Sequence, residues 1–413
     1  MPGDSLFIHK IGAAFIYRES VPGLGFATMD LISIPDGEFH ERVEKTRQAM
    51  QARDVDLLLA FSTESEPAYV RYYSGYWPSF ETAGVLISAS GGESLLIGPE
   101  SRTYAAARSK IARVIRMMDF RESSQPGYPG STLATWAEVF SEYKPKRLGI
   151  AGWHLIPHAI VQNIQAAIPG VEIFDADEIV RSVMQAKSEN ELRCLREAAR
   201  ISELGFKAVL ENIREGATEV ELCGIATAAM LAAGAESTGY PIWCASGPNS
   251  TQAISRPTHR KVRRGEVIHF SVGAKVAGYS ASVGRPVVLG ACPADLRAFL
   301  QVGLDAMHMT IDLMRDGQVS GEVARKVHGW IGEQGYGHTI LYGPAHGCGQ
   351  MECEFPFLES SSTFILRENM AFMVDVFLAD EARGFRWEDG IIVRQGAAEE
   401  LSSYGRKLNI IEI

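Results

Sequence analysis

Three side chains in the last quarter of the chain pair a proton-handling type with a setting that invites chemistry. His346 stands in His346-Gly347-Cys348-Gly349, a turn so rich in glycine that backbone can approach a bound molecule closely. Asp375 lies between Met370-Ala371-Phe372-Met373-Val374 and Val376-Phe377-Leu378. A carboxylate in such an apolar run is either paired or holds its proton, because an isolated buried charge is costly. Glu388, beside Asp389 and two residues before Gly390, has the same character. An imidazole and two carboxylates within hydrogen-bond reach would form a general acid/base set. The bland alternative is a core histidine and carboxylates paired with structural arginines.

Other candidates are read as substrate contacts. Ser271 and Ser282 fall in strand-like segments and lack the G-x-S-x-G elbow of a serine hydrolase. They are hydroxyls for hydrogen bonding or small polar fillers. Cys348 would point the same way as His346 if the strand continued through it, which makes it either a nucleophile or an inert buried thiol. Glu352 and Glu354 alternate in Met351-Glu352-Cys353-Glu354-Phe355-Pro356; Glu352 is the substrate-contact candidate, together with His259 and Tyr279.

These groups need a frame. At 413 residues the chain exceeds the ~250–300 at which single cores stop growing, so two domains are expected. The 50 acidic against 40 basic residues, a net charge of −10, argue against a nucleic-acid partner, which requires a basic face. Six cysteines without a C-x-x-C pair suggest free thiols in a reducing compartment. No stretch approaches the roughly 18 apolar residues of a membrane span, and MPGDSLFIHKIGAAFIY is broken by Asp4, His9 and Lys10, unlike a signal peptide. A cytoplasmic protein with no membrane partner is the expectation.

From about Phe39, helix-like and strand-like segments alternate. Strands are predicted at 57–61, 84–88, 94–97 and 147–151, and helices at 102–109 and 134–143. This alternation implies an α/β layer domain, taken as residues 1–180. Long helices follow. Over 189–211, Leu192, Leu195, Ala199, Leu204 and Phe206 recur toward one side. A second helix opens near Thr218 and runs to Ala233. Arg214, Gly216, Glu221 and Gly234 recur 101 residues later as Arg315, Gly317, Glu322 and Gly335. Residues 181–413 therefore read as an α+β domain with an internal pseudo-twofold duplication and a cleft between its halves.

One family matches these landmarks in order. Lys187-Ser188-x-x-Glu191, the run from Gly265 through Ser271-Val272-Gly273-Ala274 and Gly278-Tyr279 to Arg285, His346-Gly347-x-Gly349, Asn369-Met370 to Asp375, and Arg386-x-Glu388-Asp389 resemble the pita-bread superfamily of creatinase, prolidase and aminopeptidase P. Tyr72-Tyr73-Ser74-Gly75 resembles its smaller domain more loosely. The resemblance implies a pita-bread C-terminal domain and, in the peptidases, a two-metal site on two aspartates, a histidine and two glutamates. Here those positions read Ser271, Ser282, His346, Asp375 and Glu388. Two formal charges are lost and one ligand is shortened, so hard cations clamped by carboxylates are not expected. The family's proton-handling histidine falls at Ile254, with His259 the nearest imidazole. Creatinase, the metal-free relative, uses a histidine there and a glutamate at Gly284, and this chain has neither.

The expectation is a metal-independent hydrolase with no cofactor that cleaves a C–N bond of a small polar molecule (amidine, guanidino compound or amide). His346, Asp375 and Glu388 would be catalytic. A lyase or decarboxylase, a mononuclear metal-dependent Xaa-Pro-type peptidase on the same three residues, and a non-catalytic binding module are the alternatives. The aromatic loop 72–80, unfavourable to leave wet, points to a homodimer.

Overall fold

The computed structural model describes residues 32–403 and 411–412, so the segment MPGDSLFIHKIGAAFIY lies outside the described residues. The first layer domain opens with helix α1 (Asp36–Gln51) and strand β1 (Leu57–Ser62), whose six residues are all buried. A strand covered on both faces reads as a continuous apolar run, which is why LLLAFS was legible. Helix α2 (Ala68–Ser74), strands β2 (Ala83–Ser88) and β3 (Glu93–Ile97), helix α3 (Arg102–Arg108), strand β4 (Val114–Arg116) and helix α4 (Trp136–Tyr143) follow. Strand β5 (Arg147–Ala151), helix α5 (His158–Ala167), strand β6 (Glu172–Asp175) and helix α6 (Asp177–Met184) close the layer. The sheet order is β4-β3-β2-β1-β5-β6, antiparallel at β1–β2 and β2–β3 and parallel elsewhere.

Helix α7 (Glu189–Asn212) begins at a capping box, Ser188 and Glu191 satisfying each other's backbone N–H groups. Helix α8 (Glu219–Ala232) begins the same way at Thr218 and Glu221. Strands β7 (Ser237–Thr238), β8 (Trp243–Ser246), β9 (Val267–Val276) and β10 (Tyr279–Val288) precede the second helix pair, α9 (Ala294–Leu313) and α10 (Ser320–Glu333). Then come β11 (Ala345–Gly347), β12 (Glu354–Leu358), β13 (Ala371–Ala379), β14 (Gly384–Ile392), β15 (Glu399–Glu400) and β16 (Ile411–Glu412). The second sheet runs β12-β11-β13-β14-β10-β9-β7, with β8 on β9, β15 on β14 and β16 on β10.

The duplication is physical. Gly216, Gly234, Gly317 and Gly335 have φ of 85, 100, 86 and 88°, a region that glycine enters at no steric cost. The copies differ at their caps, since Val319 before α10 offers no side-chain bond. Helices α7 and α8 bury Leu192, Leu195, Ala199, Phe206 and Met230 against β9 and β10. Helices α9 and α10 bury Phe299, Leu300, Met307 and Val327 against β13 and β14. Leu204, expected on the buried stripe, is 38% exposed. Two residues before Phe206 it is turned about 200° away on the helix.

A buried cation joins the first domain to the second. Arg42 on α1 donates to Glu38 at 2.9 Å, Glu191 at 3.2 Å, the Tyr279 hydroxyl at 3.0 Å and the Tyr72 carbonyl at 2.9 Å. Tyr279 in turn donates to Glu191 at 2.5 Å. The substrate role expected for Tyr279 is thus replaced by an interdomain one, its hydroxyl spent on buried partners. Tyr72, Tyr73 and Tyr76 of the aromatic loop are also buried, while Phe80 is 80% exposed. Removing one partner of a buried ion pair strands the other, at a cost of about 3–5 kcal/mol. Arg42→Met is therefore expected to lower the unfolding free energy by about that amount in urea titrations, and a loss below about 1 kcal/mol, the scale of an exposed pair, would contradict this assignment.

Candidate functional site

Strand register builds the site on the face of the second sheet turned away from its helices. Ser271 pairs with Gly284, Gly284 with Glu388, and Glu388 with Asp375, a row across β9, β10, β14 and β13. His346 on β11 pairs with Met373, two residues before Asp375 and so on the same face. Gly284 makes the row possible, because a Cβ there would lie 2.6 Å from the Glu388 Cβ. Glu388 from the neighbouring strand thus fills the space a side chain at position 284 would need.

These groups open onto a cavity of about 450 Å³, walled by Tyr240, Trp243, Tyr342 and Phe357, with His346, Glu352, Asp375, Arg386 and Glu388 among its polar lining. Ile254, where the family pattern has its histidine, also lines it and is 78% exposed. The loop carrying Glu352 is anchored by Lys275, whose Nζ donates to the carbonyls of Gln350 at 2.6 Å and Gly278 at 3.0 Å. Burial, and then the neighbouring Arg71, press the Lys275 pKa down to about 7.

Asp375 is fully engaged. Arg386 Nε donates to Oδ1 at 2.8 Å, the Tyr342 hydroxyl donates to Oδ2 at 2.7 Å, and Arg386 Nη2 donates to the Tyr342 oxygen at 2.6 Å. Arg386 lies two residues before Glu388 on one strand face and stacks 4.5 Å from the Trp243 ring centroid. Burial still lifts the Asp375 pKa, with Arg386 working against it.

The remaining carboxyls form a pair. Ser271 donates to Glu388 Oε2 at 2.5 Å, and Tyr240 donates to Ser271 in turn. Ser282 donates to Glu352 Oε1 at 3.0 Å. Burial first, then the charge of Glu352, raise Glu388 to about 7, and a hydrogen bond joins the two carboxyls. Glu352 is raised by burial, while the bond from Glu388 lowers it. Both carboxyls are thus held toward their protonated forms, Glu388 to about 7. Burial disfavours a charged His346, but a bond with the Cys353 thiol and the charges of Asp375 and Glu388 outweigh it, lifting the imidazole to about 9. Its Nδ1 lies 3.1 Å from the Gly347 carbonyl and its Nε2 4.0 Å from Asp375 Oδ2.

Of the residues singled out from sequence, His346, Asp375, Glu388 and Glu352 meet around this cavity. Ser271 and Ser282 stand just behind, holding its carboxyls, and Tyr240 fills the space at β9, where a Cβ on Gly273 would meet its ring at 2.7 Å. Two others fall elsewhere. His259 is exposed and outside the lining. Cys348 is fully buried in the core with Ala371 and Met373, its thiol pushed far up by burial. Strand β11 ends at Gly347, so alternation does not carry through to Cys348, and Cys353 is the cysteine lining the cavity. Tyr240, Tyr342 and Cys353 carried no mark in the sequence; Arg386 was visible only as part of a motif.

Among the described residues, His346, Glu352 and Glu388 offer ligand atoms within 4.8 Å of one another, a set that one divalent ion fits. The five positions of a two-metal centre do not fit: two are neutral serines, and both Asp375 oxygens already accept from Arg386 and Tyr342.

The model of the Creatinase/Prolidase N-terminal domain matches residues 42–183, and that of metallopeptidase family M24 matches residues 193–395. The Xaa-Pro dipeptidase of Pyrococcus furiosus is 23% identical over 89% of this chain and 99% of its own. The creatinase of a Bacillus species is 25% identical over 64% of this chain and 69% of its own. The prolidase structure from Pyrococcus horikoshii superposes with a TM-score of 0.78 at 22% identity, covering 89% of this chain and all of that one.

If the two carboxyls share a proton, Glu352→Gln removes the neighbouring charge and the Glu388 pKa should fall below about 7, as read by NMR of ¹³C-labelled glutamate. An unchanged Glu388 titration would show that they are uncoupled.

Proposed function

The chain belongs to the pita-bread superfamily that joins a creatinase/prolidase N-terminal domain to an M24 domain, and from that premise we propose a hydrolase of a C–N bond in a small, peptide-like substrate, working without the family's two-metal centre. The observation that carries this reading is the occupation of Asp375 by Arg386 and Tyr342. The cavity of about 450 Å³ supports a substrate of dipeptide size. The names of the relatives, chiefly Xaa-Pro dipeptidase, favour an amide over the amidine or guanidino compound that the sequence suggested.

In this reading the ionised Glu352–Glu388 pair takes a proton from the attacking water, and His346, protonated below about 9, gives a proton to the departing nitrogen. Ser271 and Ser282 hold the two carboxyls in place. Asp375 acts through its neighbours: it fixes Arg386 and Tyr342 in the wall and favours the charged imidazole.

A second reading rests on the group His346, Glu352 and Glu388. These three would hold a single divalent ion, which when bound would polarise a carbonyl or acidify a water. Asp375 is not part of that set, in contrast to the ligands expected from sequence. Dialysis against chelator separates the readings: retained turnover of an Xaa-Pro dipeptide supports the metal-free one, and activity lost with one equivalent of metal supports the other. Activity that needs two equivalents would contradict both.

The metal-free reading sets a pH profile. The base is competent once the pair, at about 7, has lost its proton, and the acid is lost as His346 titrates near 9. A bell-shaped kcat/KM with limbs near those values is expected, and Glu388→Gln should abolish the acidic limb and lower kcat about 10²–10⁴-fold. A profile flat from pH 6 to 10 would contradict the assignment.

The homodimer belongs to the same proposal, supported by the 80% exposure of Phe80. A sedimentation mass of one 45.1 kDa chain at micromolar concentration would contradict it.

A further inference from the structure

A second cavity, of about 510 Å³, lies beside the first and is lined from both domains, by Glu66, Tyr69, His154 and Arg181 on one side and Glu354 and Phe355 on the other. The two cavities share Glu66, Met351, Cys353 and Phe357. Their carboxylates are mostly engaged. Asp177 accepts from Arg181 at 2.9 Å and the Gly152 N–H at 2.6 Å, and Glu354 accepts from Lys187 at 2.5 Å. Asp375, Glu352 and Glu388 are held as described above. Among the described residues Glu66 has no side-chain hydrogen bond or ion pair, and burial raises its pKa, with Lys275 the opposing cation. Lys275 is committed to two backbone carbonyls. Glu359 is also without a side-chain partner but borders only the reaction cavity of the two.

We propose that Glu66 binds a positively charged group of the substrate, an ammonium in the simplest case, seated where the reaction cavity opens into its neighbour. The proposal deepens the hydrolase reading and rests on it for the rest of the substrate. The scissile amide occupies the cavity at Glu352, Glu388 and His346, and the amine end points toward Glu66. Glu66, exposed and bordering both cavities, then gains a charged partner for its carboxylate. A charge-assisted hydrogen bond of this kind is strong enough to select a free amine over a blocked one. The apolar surfaces of Met351 and Phe357, shared by both cavities, would line the passage.

The test uses alanyl-proline and its N-acetyl derivative with the full-length enzyme, following hydrolysis and, by calorimetry, binding. Wild type is expected to prefer the free amine by about tenfold or more in kcat/KM, the effect of one charge-assisted bond. In Glu66→Gln that ratio should fall to near one, chiefly through KM, and Glu66→Asp should restore part of it. Equal kcat/KM for the two peptides, unchanged in Glu66→Gln, would overturn the role of Glu66 while leaving the peptidase reading intact. Tenfold tighter binding of the free amine without hydrolysis of either peptide would uphold Glu66 and overturn the peptidase reading. A preference retained in Glu66→Gln would also overturn the proposal.

Discussion

One buried ion pair decides what this cleft can be. Asp375 receives Arg386 on one oxygen and Tyr342 on the other, and a carboxylate with both oxygens committed has little left for a cation. A dinuclear centre brings four positive charges and needs carboxylates free to meet them. Here two of the five matched positions are serines, and a third is closed by the guanidinium beside it. In the metal-free reading, Arg386 and the imidazolium of His346 supply part of the cleft's positive charge.

The serines at the two positions where the resemblance implies aspartates leave their own mark on the geometry. Ser271 and Ser282 do not face the cavity as replacement ligands. Each donates to a carboxyl, Glu388 and Glu352 respectively, and the space beside them is taken by Tyr240. The result is two acids close enough to share a proton, in a wall dry enough to lift Glu388 to about 7. Like charges held together and desolvated are a recurring way to obtain an acid and a base from one residue type. Glu352, which the sequence marked as a substrate contact, is essential to this arrangement.

The architecture was legible because its signals are physical and repetitive. A continuous apolar run marked β1, the family resemblance marked β9, and the glycines spaced 101 residues apart turned out to occupy the same left-handed backbone region. Asp375 and Glu388 were legible as carboxylates in settings that penalise them, and His346 by its Gly-rich turn. What the sequence did not show lies on connections. Tyr342 reaches Asp375 from the segment before β11, and Tyr240 reaches Ser271 from the segment between β7 and β8. Cys353, not Cys348, lines the cavity because β11 stops at Gly347 and its pairing with β12 slips there. Arg386 was within reach of inference, since alternation places it on the face of Glu388.

Arg386 and Tyr342 close the Asp375 half of the two-metal site that the resemblance implies. Anomalous diffraction from crystals soaked in excess manganese tests it most directly. No peak is expected within bonding distance of Asp375, and at most one bounded by His346, Glu352 and Glu388. Two peaks about 3.5–4 Å apart, with Asp375 ligating and Arg386 displaced, would contradict it.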